Sequence, residues 1–547
     1  MKKRRNDDNN DNDTGSSEND KANTNSNNND NNSAALSLCR QARKLWLQNA
    51  TTPEDLDRVE ALYRRALNAK RTVVVQATKK QKRERNASSK QANATKVVAT
   101  LSPDEYRKAG ERLSLLYLQS GRPYKATMGL KYLGFECRLS ERILNYSLST
   151  AKKKSNAKTR GGKKKNNSSS NTMPQPPCCV VDDFLSPVEL QHLRKVFGDV
   201  SSSYWSCHDY TIDEEPPAPY FSYVLDLKSS SKDGSFLKSV VDKVLSCARV
   251  SERFRNLRRD ANYVELWAHN RPHASGHQLH FDSDDEGRTR SGDDENSREQ
   301  GLPKHPIVST VLNLSSHSKV GGPTLVTNQR LAGNSNSNNS NTNTATTHLS
   351  SVRGWLVPSK PARLVCFDGS VLHGVIPGKG TIPTTTTGSS TSIHDDDDND
   401  NNNDDDDESS SSQPPRDHHH RRPRRVTLMM AFWKDIKVRK GSKPGSARPW
   451  PKSAKAVDST ATNKTTTLPP WAIELNRTDI AGTSSKSKTT SKSLSKQQQW
   501  KDETESKVVP VHHVYELLDG RPVPKYHDEG DDDGYYMPEY DRVFQGF

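Results

Sequence analysis

The sequence predicts an α+β protein in which a helical module precedes a β-rich domain, with long low-complexity stretches between and inside them. Three observations lead there. Apolar residues recur at helical spacing between positions 35 and 145. From position 178 to 440, short β-branched and aromatic runs separated by Gly, Pro and Ser indicate a sandwich or barrel rather than a βαβ sheet. Finally, only 30% of the 547 residues are hydrophobic, so much of the chain cannot be core.

The stretches without a buried pattern are 1–34 (Asn/Asp-rich), 151–177 (a basic Lys/Asn/Ser linker), 331–350 (Asn/Ser/Thr-rich), 381–421 (a long Asp run) and 441–505. All are expected to be disordered. The net charge of +15 comes largely from clusters such as Lys2 to Arg5, Lys79 to Arg85 and the lysines between Lys152 and Lys165. Such runs serve as import signals, nucleic-acid contacts or solvated linkers. No aromatic residues are interleaved to stack on bases, so direct nucleic-acid binding is not the expectation. Seven irregularly spaced cysteines do not make a disulfide framework. The N-terminus lacks an apolar signal region and no eighteen apolar residues run together, which predicts a cytoplasmic or nuclear protein without a membrane span.

In the helical module, residues 35–150, Leu56, Val59, Leu62, Tyr63, Ala66 and Leu67 form one stripe, opened by Pro53 and Glu54. A basic insertion, 71–100, separates it from a second helical run that breaks at Gly121-Arg122-Pro123 into a hairpin. There Leu113, Ser114, Tyr117, Ala126 and Leu130 resemble a tetratricopeptide repeat, while Gly110 and Leu133 depart from its pattern. The module either binds a partner or caps the next domain.

The β-rich domain, 178–440, opens with a short strand at 180–185 and a helix whose Ser186-Pro187-Val188-Glu189 start is a capping box. A further helix is marked by Phe236, Leu237, Val240, Val241, Val244 and Leu245. Strands are predicted at 263–268, 277–282, 307–314, 323–327, 363–367, 371–376 and 426–433. The segment 506–547 regains aromatic residues, among them Tyr535, Tyr536, Tyr540, Phe544 and Phe547, and is expected to pack back on this domain.

Candidate chemistry sits on three of these strands. His280 and Asp282, at i and i+2, share one face of a strand and offer an imidazole and a carboxylate to one metal. About ninety residues on, Arg363-Leu-Val-Cys-Phe-Asp-Gly-Ser-Val-Leu-His373 reads as strand, turn and strand. If its second strand lies beside the first, His373 completes a two-histidine, one-carboxylate set, which leaves open positions and suits non-haem Fe(II). Arg425 opens an apolar strand and shares a face with Thr427, Met429 and Ala431. An arginine at the bottom of an apolar pocket needs a planar anion, and the distal carboxylate of 2-oxoglutarate fits.

Residues 181–440 resemble the catalytic domain of the Fe(II)/2-oxoglutarate-dependent oxygenases in the prolyl-4-hydroxylase-like branch. Besides His280-x-Asp282, His373 and Arg425, the matches are Val-Val-Asp-Asp-Phe-Leu-Ser at 180–186, Gly321-Gly322-Pro323-Thr324, and Leu-Val-Cys-Phe-Asp-Gly before His373. The resemblance implies a double-stranded β-helix, or jelly roll. It implies iron held by His280, Asp282 and His373, 2-oxoglutarate anchored by Arg425 with Thr427, O₂ as oxidant, and ascorbate as reductant. The implied reaction is hydroxylation of a protein side chain, prolyl among the candidates; a small-molecule oxygenase and a non-catalytic adaptor are the alternatives. Members of the family usually have a short link between distal histidine and arginine. Here 51 residues (374 to 424) intervene, mostly within the 381–421 insertion, and lengthening a surface loop costs only ~0.6 kcal/mol per doubling.

Other polar residues near these motifs are expected to play no ligand role. Arg424 should face outward, and His277, three residues before His280, should point to the opposite face of its strand. His269 and His273 are expected beside the site or in solvent, His418 to His420 to be incidental, and Asp284, Asp285 and Glu286 to form a solvated loop.

Overall fold

The structure is a computed structural model, and it describes residues 26–48, 53–84, 101–147, 175–208, 210, 221–228, 235–284, 304–318, 320–330, 352–380, 424–439, 446–451, 468–478, 508–523 and 540–546. The expectations for 331–350, 381–421, Lys2 to Arg5, Lys152 to Lys165 and His418 to His420 lie outside the described residues. The chain divides into two compact units, 1–45 with 57–109 and 46–56 with 110–547.

The first unit contains most of α1 (Ser26–Gln48) and α2 (Pro53–Glu84), and α3 (Pro103–Gln119) begins in it. α1 starts before position 35, and α2 runs on into the basic insertion expected from 71. No Gly or Pro lies within 26–48 or 54–84, so nothing local stops either helix. Ser102 and Glu105 cap α3 reciprocally, Ser102 N–H donating to Glu105 Oε2 at 2.9 Å and Glu105 N–H to Ser102 Oγ at 3.2 Å.

In the second unit the hairpin continues as α4 (Pro123–Tyr132), then β1 (Cys137–Leu139) and α5 (Glu141–Leu144). Next come β2 (Cys178–Val181), α6 (Pro187–Phe197), α7 (Ser203–Ser206), β3 (Tyr223–Asp226), α8 (Phe236–Ser246), α9 (Ala248–Arg253) and α10 (Leu257–Asp260). The strands β4 (Tyr263–Pro272), β5 (His277–His280), β6 (Val308–Asn313), β7 (Thr324–Arg330), β8 (Gly354–Val357), β9 (Leu364–Asp368), β10 (Val371–Val375) and β11 (Arg424–Trp433) follow. The last elements are β12 (Arg448–Pro449), α11 (Pro470–Leu475), β13 (Val509–Val511), β14 (Tyr515–Leu517) and β15 (Val543–Phe544).

Strand parity sorts these elements into layers. The major sheet has the order β12-β3-β4-β11-β6-β9-β2 and the minor one β13-β8-β7-β10-β5. Along β11, Met429, Ala431 and Trp433 join Trp267, Val311 and Phe367 of the major sheet and Val326, Trp355 and Val371 of the minor sheet in one apolar core, so the two sheets face each other. The alternate residues Val426, Leu428, Met430 and Phe432 join Leu193 and Phe197 of α6 and Phe236, Val240 and Val244 of α8, so helices cover the other face. Each buried side chain of this size contributes about 1.5–3 kcal/mol by leaving water. The predicted capping box is formed at α6, where Glu189 N–H donates to Ser186 Oγ and Ser186 N–H to Glu189 Oε2. The strands β3 and β8 have no counterpart in the sequence reading.

Two pieces of 441–505, expected to be disordered, belong to this fold. β12 pairs with β3, and Trp450, Trp471, Ala472 and Leu475 are buried in the helix-side core. Isolated anchors in a Ser/Thr/Lys background leave no periodicity to read, yet each buries a large apolar surface. At the C-terminus β13 pairs with β8, and β14 and β15 flank β1. All seven cysteines are free thiols. No helix among the described residues is long and apolar enough to cross a membrane.

Trp471 is 3% exposed. Trp471→Ala is expected to destabilise the fold by about 3–5 kcal/mol in urea unfolding, the usual result for a buried tryptophan; an unchanged midpoint would mean that α11 is not part of the core.

Candidate metal centre

β5 is the edge strand of the minor sheet and pairs with β10, where His280 stands opposite His373. The ladder slips between the pairs His373↔His280 and Val375↔His277. Three residues of β5 therefore span two of β10, a bulge that breaks the period of two. This overturns the expectation for His277: its ring lies 4.4 Å from that of His280, on the pocket side rather than the opposite face. The close approach needs Gly374, because a Cβ there would sit 2.8 Å from the His277 carbonyl oxygen.

The pairing brings His280, Asp282 and His373 together, with one ligand atom from each within 4.8 Å of the others. Asp282 Oδ1 is 3.6 Å from His280 Nε2 and 3.7 Å from His373 Nε2. Each imidazole is oriented from behind, since His280 Nδ1 bonds the Gln278 carbonyl at 2.8 Å and His373 Nδ1 the Val371 carbonyl at 3.0 Å. A carbonyl only accepts, so Nδ1 carries the proton and the Nε2 lone pair faces the centre. His373 Nε2 is buried with no hydrogen-bond partner, the state expected of a ligand atom facing a cation. Ser309 Oγ donates to Asp282 Oδ2 at 2.5 Å, which fixes the carboxylate and leaves Oδ1 turned to the imidazoles. Burial pushes the Asp282 carboxyl up, but His373, His280 and Ser309 outweigh it and hold it well below the usual carboxylate range. Burial pulls His373 down to about 4, so the imidazole is neutral. Burial pulls the His280 imidazole down, but Asp282 and the Gln278 carbonyl outweigh it and raise it above its ordinary range. Two imidazoles and one carboxylate are a donor set that fits a divalent metal, which displaces any proton on the ligand nitrogen. Among the described residues no other histidine, cysteine, aspartate or glutamate cluster has this spacing.

A pocket opens beside the three ligands, lined by His280 and His373 together with Trp267, His269, Arg271, Val311, Thr324, Met429 and Arg425 among others. Arg425 is 5% exposed, with Nη2 3.4 Å from Thr324 Oγ1 and Nε buried without a partner. Gly321 cradles it: at φ +74, a Cβ on that residue would come within 2.2 Å of Arg425 Cδ. His273 holds the cradle, its Nδ1 accepting the Gly321 N–H at 2.9 Å. Burial and the neighbouring Arg271 pull the Arg425 guanidinium down to about 10, so it remains charged at neutral pH.

Thr427 is placed differently from Arg425. It is fully buried and its Oγ1 has no partner, but it does not line the pocket, and the hydroxyl beside Arg425 belongs to Thr324. Arg424 turns to Asn270 Oδ1 at 2.7 Å. Burial holds the imidazoles of His269 and His277 well below their ordinary range, so both line the pocket as neutral groups. Sequence reasoning gave no role to Arg271 or Ser309, quoted Thr324 only as part of a motif, and missed Gln545, whose Oε1 accepts the Leu279 N–H at 2.8 Å next to His280. Residue parity along β4 carries a signal for Arg271, which shares a face with Trp267 and His269; nothing in sequence links Gln545 to β5.

No protein-family model matches the chain, and no curated protein matches it. Among solved structures it is similar to a prolyl-4-hydroxylase from Pseudomonas putida, with 12% identity over 48% of this chain and 89% of that one and a TM-score of 0.21. It is also similar to HygX from Streptomyces hygroscopicus, solved with nickel and 2-oxoglutarate bound, with 13% identity over 48% of this chain and 86% of that one and a TM-score of 0.20. Scores this low leave the functional reading to the site itself.

Gln545 ties the outer edge of a strand with few ladder bonds, so Gln545→Leu is expected to weaken divalent-metal binding by about tenfold, the worth of one buried hydrogen bond. Calorimetric metal titration checks this, and unchanged affinity would show that β5 is held by β10 alone.

Proposed function

We propose that the β-rich domain is an Fe(II)- and 2-oxoglutarate-dependent oxygenase that hydroxylates a polypeptide side chain. What carries this reading is the pairing of two features in one pocket: a His₂Asp donor set, and the buried guanidinium of Arg425 that no carboxylate of the described residues meets. A metal alone would account for the first. A metal chelator with a second carboxylate at its far end accounts for both.

On this reading His280, Asp282 and His373 hold the iron, and Ser309 and the two backbone carbonyls keep those ligands aimed. Arg425 and Thr324 receive the distal carboxylate of 2-oxoglutarate, with Gly321 allowing the arginine to lie flat. Trp267, Val311 and Met429 give the pocket apolar walls that exclude water and strengthen the ion pair. Iron with 2-oxoglutarate and O₂ supplies the oxidant that converts C–H to C–OH, leaving succinate and CO₂. The facing sheets suit the double-stranded β-helix of the prolyl-4-hydroxylase-like branch, and a polypeptide substrate, ascorbate as reductant and a cytoplasmic or nuclear location complete the reading.

The purified chain with Fe(II), 2-oxoglutarate and O₂ is expected to form succinate, and His280→Ala to lose at least about a hundredfold of that rate together with its metal. Arg425→Gln is expected to raise the KM for 2-oxoglutarate by about tenfold to a hundredfold, the worth of a charge-assisted pair. Absence of both metal retention and succinate in the wild type would refute the proposal.

A further inference from the structure

The pocket contains a second guanidinium. Arg271 on β4 stands directly opposite Arg425 on β11 in the antiparallel ladder, and both side chains line the pocket. They occupy different depths. Arg425 lies at the floor with the buried Thr324, Val311 and Met429, whereas Arg271 lies at the mouth with the half-buried His269, His277 and His280. The side chain of His280 is 33% exposed against 3% for His373, which marks the same side as the open one. Arg271 Nη1 donates to the Gly276 carbonyl at 3.1 Å, the guanidinium also bonds the neutral Tyr210 hydroxyl, and its Nε is buried without a partner. Among the described residues neither arginine forms an ion pair. The nearby carboxylate, Asp282, is engaged by two imidazoles and Ser309.

Charge balance separates the roles of the two arginines. On the oxygenase reading, on which this inference rests, the iron dication is matched by Asp282 and one carboxylate of 2-oxoglutarate, and Arg425 is matched by the other carboxylate. Arg271 is then the cation left over. Two guanidinium groups side by side in a partly dry pocket are costly unless an anion meets each of them. The planar fork of an arginine suits a carboxylate or a phosphate.

We propose that Arg271 determines specificity by receiving an anionic group of the substrate, a side-chain carboxylate or a phosphate ester, so that the residue to be oxidised lies beside a negative charge in its polypeptide. The group enters from the mouth, where Arg271 and the iron ligand His280 face the same opening.

The test is calorimetric titration of the full-length chain loaded with Mn(II) and 2-oxoglutarate, using N-acetyl-aspartate amide, N-acetyl-phosphoserine amide and the neutral N-acetyl-asparagine amide. The wild type is expected to bind at least one anionic probe about tenfold more tightly than the neutral one, and Arg271→Gln to reduce that preference to about twofold or less. The tighter anion identifies the source as carboxylate or phosphate. Arg271→Met repeats the test if Arg271→Gln fails to fold. The proposal is overturned if the wild type does not distinguish charged from neutral probes, or if the preference survives the substitution. It is also overturned if Arg271→Gln weakens 2-oxoglutarate binding as severely as Arg425→Gln, because Arg271 would then serve the co-substrate. Failure of the metal-loaded wild type to bind 2-oxoglutarate overturns the oxygenase reading as well, and is read before any probe is added.

Discussion

A four-residue edge strand carries the constraint on which the site depends: β5 must pair with β10 so that His280 stands opposite His373. The strand has few ladder bonds of its own, and other parts of the fold hold it. Gly374 lets the two backbones approach, the bulge brings His277 round to the pocket, and Gln545 accepts the Leu279 N–H on the outer edge. Asp282 then needs only to lie just beyond the strand end, where Ser309 of the opposite sheet fixes it. The donor set thus sits on the minor sheet and is steadied by Ser309 of the major one, so its geometry is as rigid as the packing of the two sheets.

Electrostatics give the pocket its direction. Asp282 is kept ionised by the imidazoles and Ser309, while burial keeps His373, His269 and His277 neutral. The lining itself therefore carries two guanidinium groups on adjacent strands, with the Asp282 carboxylate behind its histidines. Such a pocket is built for anions, and the depth difference between Arg425 and Arg271 provides two places for them.

Much of this was legible in the sequence, for reasons that differ by residue. His373 and Arg425 lie on strands with plain apolar runs, His280 ends a short strand and Asp282 lies just past it, and each sits at a motif that survives the low-complexity insertions around it. Parity arguments failed where the backbone departs from regular pairing, as at His277 beside the bulge. Thr427 shows a second limit, because sharing a face with Arg425 does not place a side chain at the same pocket when Thr324 comes from a facing strand. Arg271 required the β4–β11 register, and Gln545 required a contact across 266 positions. Trp450 and Trp471 were hidden by composition, since a few anchors in a polar stretch leave no period to detect.

Anaerobic titration of the metal-free chain with Fe(II) and then 2-oxoglutarate tests the central claim most directly. The account predicts one equivalent of iron per chain, followed by one equivalent of 2-oxoglutarate that binds only when iron is present, with both events abolished in Asp282→Ala. Binding of 2-oxoglutarate without metal, or iron binding that survives Asp282→Ala, would contradict it.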